Sequence, residues 1–474
     1  MGTNLETAMA RQPDNLSARM NSTGPIGTDS IGRLLLRYSI PSIVGMLVNA
    51  LYNIVDRMFI GYGIGALGIA GVTVSFPIVL VMISFSILVG VGANSLFSIR
   101  LGEGRTEEAE QILGNAFVLL FFIPLAAALA ALFYLDPLLR LMGASDEVLP
   151  YARSYTRIIL SGIALATTGH GLSHFIRSDG HPNISMVAML IGGIANTLLD
   201  PLFIFVFHWG MAGAAWATVI SQGLSFAWCL SYFFTAKANS RLRRRFLPLD
   251  FRRVVGPFLV IGFSPFAMNL ANSLLNVVLN RGLFKYGGDS AVAVMGILSA
   301  YMSIIFMPCF GITQGVQPLM GYNFGARKYG RVRRFFWLAA AAATAVMTLG
   351  WAGSQLFPAQ IMRLFVPADS DLIPLGVRAL GIFTLAFPII GFPIMGGNLF
   401  QAIGKPFQSG LIALARQILL FIPFLIVFPK FLGLDGIFYA APASDLLTTL
   451  LAAVLVARQM RNLRRLEREP EFAP

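Results

Sequence analysis

Residues 40–63 read IPSIVGMLVNALYNIVDRMFIGYG. Positions 38–55 carry no charged side chain, which is close to the ~20 apolar residues that an α-helix needs to cross about 30 Å of hydrocarbon. The stretch therefore reads as a membrane helix with an acid, Asp56, near its far end. It recurs. Residues 264–287, SPFAMNLANSLLNVVLNRGLFKYG, place Pro265, Arg281, Tyr286 and Gly287 where the first stretch has Pro41, Arg57, Tyr62 and Gly63. Gly180 and Pro182 against Gly404 and Pro406 repeat the same displacement of 224 positions.

Working outward, twelve apolar segments emerge. They fall near 34–60, 67–98, 113–135, 150–178, 183–206 and 210–236, then 254–285, 290–325, 333–357, 372–403, 407–430 and 434–457. The longest polar interruption, 237–253, separates six from six. The expected fold is an all-α membrane protein of twelve transmembrane helices in two pseudo-symmetric six-helix bundles. An even number of spans per half makes the repeat parallel, with a binding site expected between the halves. The expected organisation is an N-terminal tail 1–32, an N-lobe 33–236, a basic linker 237–253, a C-lobe 254–458 and a C-terminal tail 459–474.

Composition agrees. The chain is 56% hydrophobic and 12% charged over 474 residues, against about 25% charged in soluble domains. Its net charge of +13 resembles a nucleic-acid signal, but placement argues otherwise. Arg100 and Arg105, seven basic residues from Lys237 to Arg253, and five from Arg458 to Arg468 all fall on one side of the twelve-span scheme. Such a bias marks the cytoplasmic face, so both termini are expected inside and no nucleic-acid partner is expected. Cys229 and Cys309 sit in apolar runs and are expected as free buried thiols.

A charge inside the bilayer costs at least about 2.5–3.5 kcal/mol, so the acids that remain there need a reason. They are Asp56, Asp200 and Asp445. At about 1.5 Å per residue, Asp56, Asp200 and Thr218 fall in one layer of the outer half. Asn196 and Asp200, four residues apart, share a helix face. Two carboxylates, an amide and a hydroxyl supply only oxygen ligands, which suits a proton or a hard cation such as Na⁺ rather than zinc or copper. The competing reading of Asp56 is an ion pair with Arg57. For Asp200 the following Pro201 weakens a purely structural role, because a mid-membrane proline frees a carbonyl that needs a polar surrounding. Asp445 reads equally as a substrate contact or as a partner of Ser444. Met295, Met302 and Met307 with Phe306 read either as a pliable substrate cleft or as core. His170 and His174 have metal-compatible spacing but no third ligand nearby in sequence, so ordinary polar packing is the better reading. The loops contain no catalytic constellation, so an enzyme is not expected.

At these residues the chain resembles the MATE (multidrug and toxic compound extrusion) transporters, in particular the MepA-like bacterial subgroup. The resemblance rests on IPSIVGMLVNALYNIVDRMFIG, IANTLLDPLFIF, GAAWATVISQ and GITQGVQPLMGYNFGARK and spans about residues 30–460. It implies a secondary active antiporter of the inner membrane, exporting amphipathic or cationic organic compounds against H⁺ or Na⁺, with no other cofactor, as a monomer. It also implies a cation-coupling site at Asp56, Asn196, Asp200 and Thr218, a hinge at Pro41, and Tyr155 near that site. The position matching Asp56 in the second half is Asn280, so coupling is expected in the first lobe alone. A lipid-linked precursor flippase of the same superfamily is the alternative, distinguished by fourteen spans and a cation-lined cleft.

Overall fold

The computed structural model describes residues 26–367 and 370–468; residues 1–25 and 469–474 of the two expected tails lie outside the described residues. Among the described residues there is no strand. The N-lobe comprises α1 (Ile31–Gly63), α2 (Ala66–Gly102), α3 (Thr106–Phe133), α4 (Leu149–Ser178), α5 (Pro182–Pro201) and α6 (Gly210–Tyr232). In the C-lobe, one helical run of 70 residues, Gly256–Gly325, is broken at Gly288, whose φ of 62° lies where side chains are disfavoured. That break makes two crossings, α7 (256–287) and α8 (289–325). There follow α9 (Tyr329–Leu356), α10 (Leu372–Phe383 and Phe387–Ala402, bent by 51°), α11 (Pro406–Leu414 running on to Leu432) and α12 (Leu434–Arg468).

Eight of the described helices are long and apolar enough to span a bilayer, nine with the bent pair. The long helix supplies two crossings, and α4 and α6, of 30 and 23 residues, complete twelve. Polar and apolar residues are placed the opposite way from a water-soluble protein. Leu36, Ile40, Leu51, Leu198, Leu274 and Leu450 are exposed, whereas Asn94, Asn115, Arg177, Asn196, Asp200 and Asp445 are buried. Lipid solvates the first group, and the second must find partners inside. Both cysteines are free and buried.

The segment ends differ from expectation. Ile26 is buried, and its carbonyl accepts from Asn323 Nδ2 (3.2 Å) and Arg331 Nη2 (3.1 Å), so the described end of the N-terminal segment is docked on α8 and α9. At the other terminus α12 stays helical to Arg468, well into the segment expected as tail.

The linker is a strap rather than a loose tether. Asn115 on α3 donates to the carbonyls of Phe246 (2.8 Å) and Pro248 (3.0 Å) and accepts from the Asp250 N–H (2.8 Å). Glu110 accepts from the Arg241 N–H (3.0 Å) and pairs with Arg243 (2.7 Å). Asp179, just past α4, is fully buried and accepts from Tyr232 Oη (2.6 Å) and the N–H groups of Asn239 (2.8 Å) and Ser240 (3.0 Å). Burial pushes its carboxyl up to about 7, with these hydrogen bonds opposing the rise.

On the linker side the lobes touch backbone to backbone. Gly92 on α2 meets Gly262 on α7, where a Cβ at either would run into the Phe258 or Leu88 carbonyl. Also on that side, α1 lies on α8, so that Tyr38 shares a core with Ile312 and Val316, and Gln317 donates to Ser95 across the lobes at 2.9 Å.

Candidate functional site

Four N-lobe helices converge on Asp56 and Asp200. Helix α1 brings Asp56, α5 brings Asn196 and Asp200, α6 brings Thr218, and α4 closes the group. Asp200 lies one residue before Pro201, whose ring lacks the N–H that the helix ladder needs there. Beyond it the chain takes a π-turn, Leu202–Val206, a distortion common beside functional groups.

Asp200 is fully buried and Asp56 is 7% exposed. Their carboxyl groups adjoin, within reach of a hydrogen bond when one is protonated. Asn196 Nδ2 donates to Asp200 Oδ1 (3.3 Å) and lies 3.5 Å from Thr218 Oγ1, which itself donates to the Ala214 carbonyl (3.1 Å). Three acceptor oxygens are left without a donor among the described residues: Asp56 Oδ1, Asn196 Oδ1 and Asp200 Oδ2. Native interiors leave few such atoms. Undonated oxygens on adjoining carboxyl groups are of the type that takes a proton or a hard cation. Arg57 is exposed while Asp56 is buried, so these sequence neighbours turn apart.

Tyr155 on α4 is buried in the neighbourhood of both carboxyl groups. Sequence reasoning missed two further groups, Tyr52 on α1 and Gln222 on α6, which adjoin each other beside the acids. Helical spacing contains the signal, since Tyr52 precedes Asp56 by four residues and Gln222 follows Thr218 by four. Pro41 is buried within a continuous α1, in the part that packs on α8.

A second feature lies between the lobes. A cavity of about 280 Å³ is walled by α7, α8, α10, α11 and α12 of the C-lobe and by α2 and α4 of the N-lobe. Arg416 lines it and donates through Nε to the buried Asp445 Oδ1 at 2.7 Å. Asp445 is thus the counter-ion of Arg416, while Ser444 donates to the Arg416 carbonyl (2.8 Å). Met295 and Met302 do not line this cavity: Met295 is 5% exposed in the C-lobe core, and Met302 packs against the same core. Their apolar bodies fill helix contacts, which corrects the cleft placement for this cavity. His170 and His174 do line it, ring centroids 5.2 Å apart. The Arg177 guanidinium lies 2.7 Å from His174 Nδ1, a polar contact that engages that nitrogen.

Comparison with known proteins agrees with this layout. The MatE family model matches twice, over residues 41–202 and 265–427, once in each lobe. The chain is 27% identical over 435 residues to the FAD transporter of Shewanella oneidensis, covering 90% of this chain and 95% of that protein. It is 24% identical over 434 residues to the multidrug export protein MepA of Staphylococcus aureus, covering 91% and 94%. Among solved structures, the MATE multidrug transporter DinF-BH is 37% identical with a TM-score of 0.85, covering 92% of this chain and 97% of that one. An outward-facing multidrug resistance MATE transporter aligns with a TM-score of 0.86 at 24% identity, covering 94% and 99%.

Proposed function

The chain belongs to the MatE family, and from that premise we propose an efflux antiporter coupled to H⁺ or Na⁺ through Asp56, Asn196, Asp200 and Thr218. It is a multi-pass membrane protein that exports small organic molecules. The observation that carries the coupling reading is the pair of adjoining buried carboxyl groups with three undonated oxygens around them. When both are ionised, their charge favours a cation; one shared proton removes half of it, so ion and cationic solute compete for one seat.

Twelve helices rather than fourteen, and relatives named as drug exporters, support this reading over a lipid-linked precursor flippase. Of the two distinguishing features, the charge of the cleft does not separate them, because Arg416 lines the cavity between the lobes. The proposal places the protein in the inner membrane as a monomer, lobes 33–236 and 254–458, with the linker and both termini cytoplasmic, following the basic residues. Rocking of the lobes, with Pro41 as hinge in α1, would alternate access to the site.

The test is efflux of a fluorescent organic cation in inverted vesicles, with pH and Na⁺ gradients imposed separately. Asp200→Asn is nearly isosteric and should abolish gradient-driven transport at unchanged protein level. Undiminished transport by that variant would remove the coupling role.

A further inference from the structure

The cavity between the lobes has a chemistry that the coupling site does not use. Five polar atoms on its wall are buried and have no hydrogen-bond partner among the described residues: Gln314 Oε1, Asn398 Oδ1, Gln401 Nε2, Gln417 Oε1 and Thr448 Oγ1. Asn398, Gln401, Gln417 and Thr448 are each 9% exposed or less. Elsewhere in native interiors such groups are scarce, and five on one wall mark a surface made to meet something polar. Whichever way each amide is turned, it offers a donor on one side and an acceptor on the other. The wall therefore matches a solute with both along its edge.

Charge narrows the class. Among the described residues no aspartate or glutamate lines the cavity, and Arg416 is the residue of fixed charge that does. Its Nε is engaged by Asp445, while its two Nη groups have no hydrogen-bond partner among the described residues. Behind His174 stands a second guanidinium, that of Arg177, 2% exposed. Arg177 does not itself line the space, so the unengaged Nη groups of Arg416 are the charged donors on its wall. Arg416 and Gln417 also sit in a π-turn, Ala415–Phe421, where the regular helix is given up, as it often is at functional sites. Flat apolar faces complete the wall: Phe310, Pro265 and Pro393 line it, and Phe310 is stacked on Phe306 with centroids 6.0 Å apart. Aromatic faces favour a planar guest, and a small, largely apolar pocket with a few fixed polar groups is the usual form of a ligand site.

We infer that this cavity is a second binding site, for a planar, hydrogen-bond-rich organic anion held by Arg416 and the amides of Asn398, Gln401 and Gln417. It rests on the exporter reading only in treating the guest as cargo; binding itself needs no gradient. The two lobes then divide the work: the N-lobe holds the coupling ion at the seat where a cationic solute competes with it, and the cavity holds an anionic guest apart from that seat.

The experiment is equilibrium dialysis of the full-length protein in detergent against two probes of similar size, pterin-6-carboxylate as anion and N-methylquinolinium as cation. The anion should bind saturably at one site, with the cation at least tenfold weaker. The double variant Arg416→Gln/Asp445→Asn removes both charges of the pair, so neither is left buried alone, and should weaken anion binding at least tenfold. Gln401→Leu, remote from the ion pair, should do the same while the protein still elutes as one monodisperse peak. Absence of saturable anion binding, equal or tighter binding of the cation, or unchanged anion affinity in monodisperse variants would overturn the inference. Efflux that fails while anion binding persists counts against the exporter reading alone; persistent efflux without anion binding counts against this site alone.

Discussion

At the scale of single residues, the acids are the most readable part of the chain, because the bilayer makes each one expensive. Asp56, Asn196, Asp200 and Thr218 lie up to 162 positions apart in sequence (56 to 218), yet depth in the membrane is enough to align them. Tyr52 and Gln222 are not readable in that way, since a tyrosine or glutamine in a span is cheap enough to need no explanation. Asp445 is legible as an anomaly, but its partner is not: Arg416 is 29 residues away and reads as a residue near a span end. The same distinction of charged from neutral groups orders the expected mutational effects. Asp56→Asn should cost gradient-driven efflux about tenfold or more, about 1.4 kcal/mol per decade. Thr218→Val, which removes one neutral oxygen, should weaken apparent cation affinity only about two- to tenfold. Titration of transport rate against Na⁺ or pH in vesicles measures both, and an equal effect of the two substitutions would deny Thr218 its secondary place.

Elements are legible in number and order, less so at their ends. Hydropathy locates all twelve, and even the break between α7 and α8 at Gly288, because each crossing needs its own apolar run. It does not foresee that Ile26 docks or that α12 continues to Arg468, since both depend on polar contacts outside the bilayer, where hydropathy has no say. The linker attachment is such a contact, and it carries a pH dependence. The Asp179 carboxyl, at about 7 in the folded protein, is near 3.9 when unfolded. The native state therefore holds this proton more tightly. Its contribution is fully present below about pH 4, declines as pH rises between about 4 and 7, and is flat above that, by at most about 1.4 kcal/mol per pH unit. Melting curves in detergent from pH 5 to 8 should show the wild type losing stability with rising pH relative to Asp179→Asn. A parallel pair of curves would place the pH response elsewhere.

For the whole molecule, the duplication announces two lobes, but no sequence pattern announces which side of the lobes is shut. One sequence must encode at least two arrangements of an alternating-access protein, and the structure captures one, closed along the linker side. The closure depends on backbones approaching where Gly92 faces Gly262. Gly262→Val should push that contact apart and shift the population towards the arrangement open on this side. In a Cys229→Ser/Cys309→Ser background, a cysteine placed at Ser95, buried about one turn from Gly92 towards the linker side and bonded to Gln317, should then react several-fold faster with a maleimide supplied from the linker side. An unchanged labelling rate would mean that the seal lies elsewhere.

The strapped linker has a consequence for handling the protein. With seven lysines and arginines between Lys237 and Arg253, it is on paper the first place where trypsin should cut the chain in two. Yet the amides of residues 239, 240, 241 and 250 are already committed to Asp179, Glu110 and Asn115, and a protease needs the backbone to come free before it can bind. Digestion of the native protein should leave the two halves joined for far longer than in Asn115→Leu, where the joint should give way early.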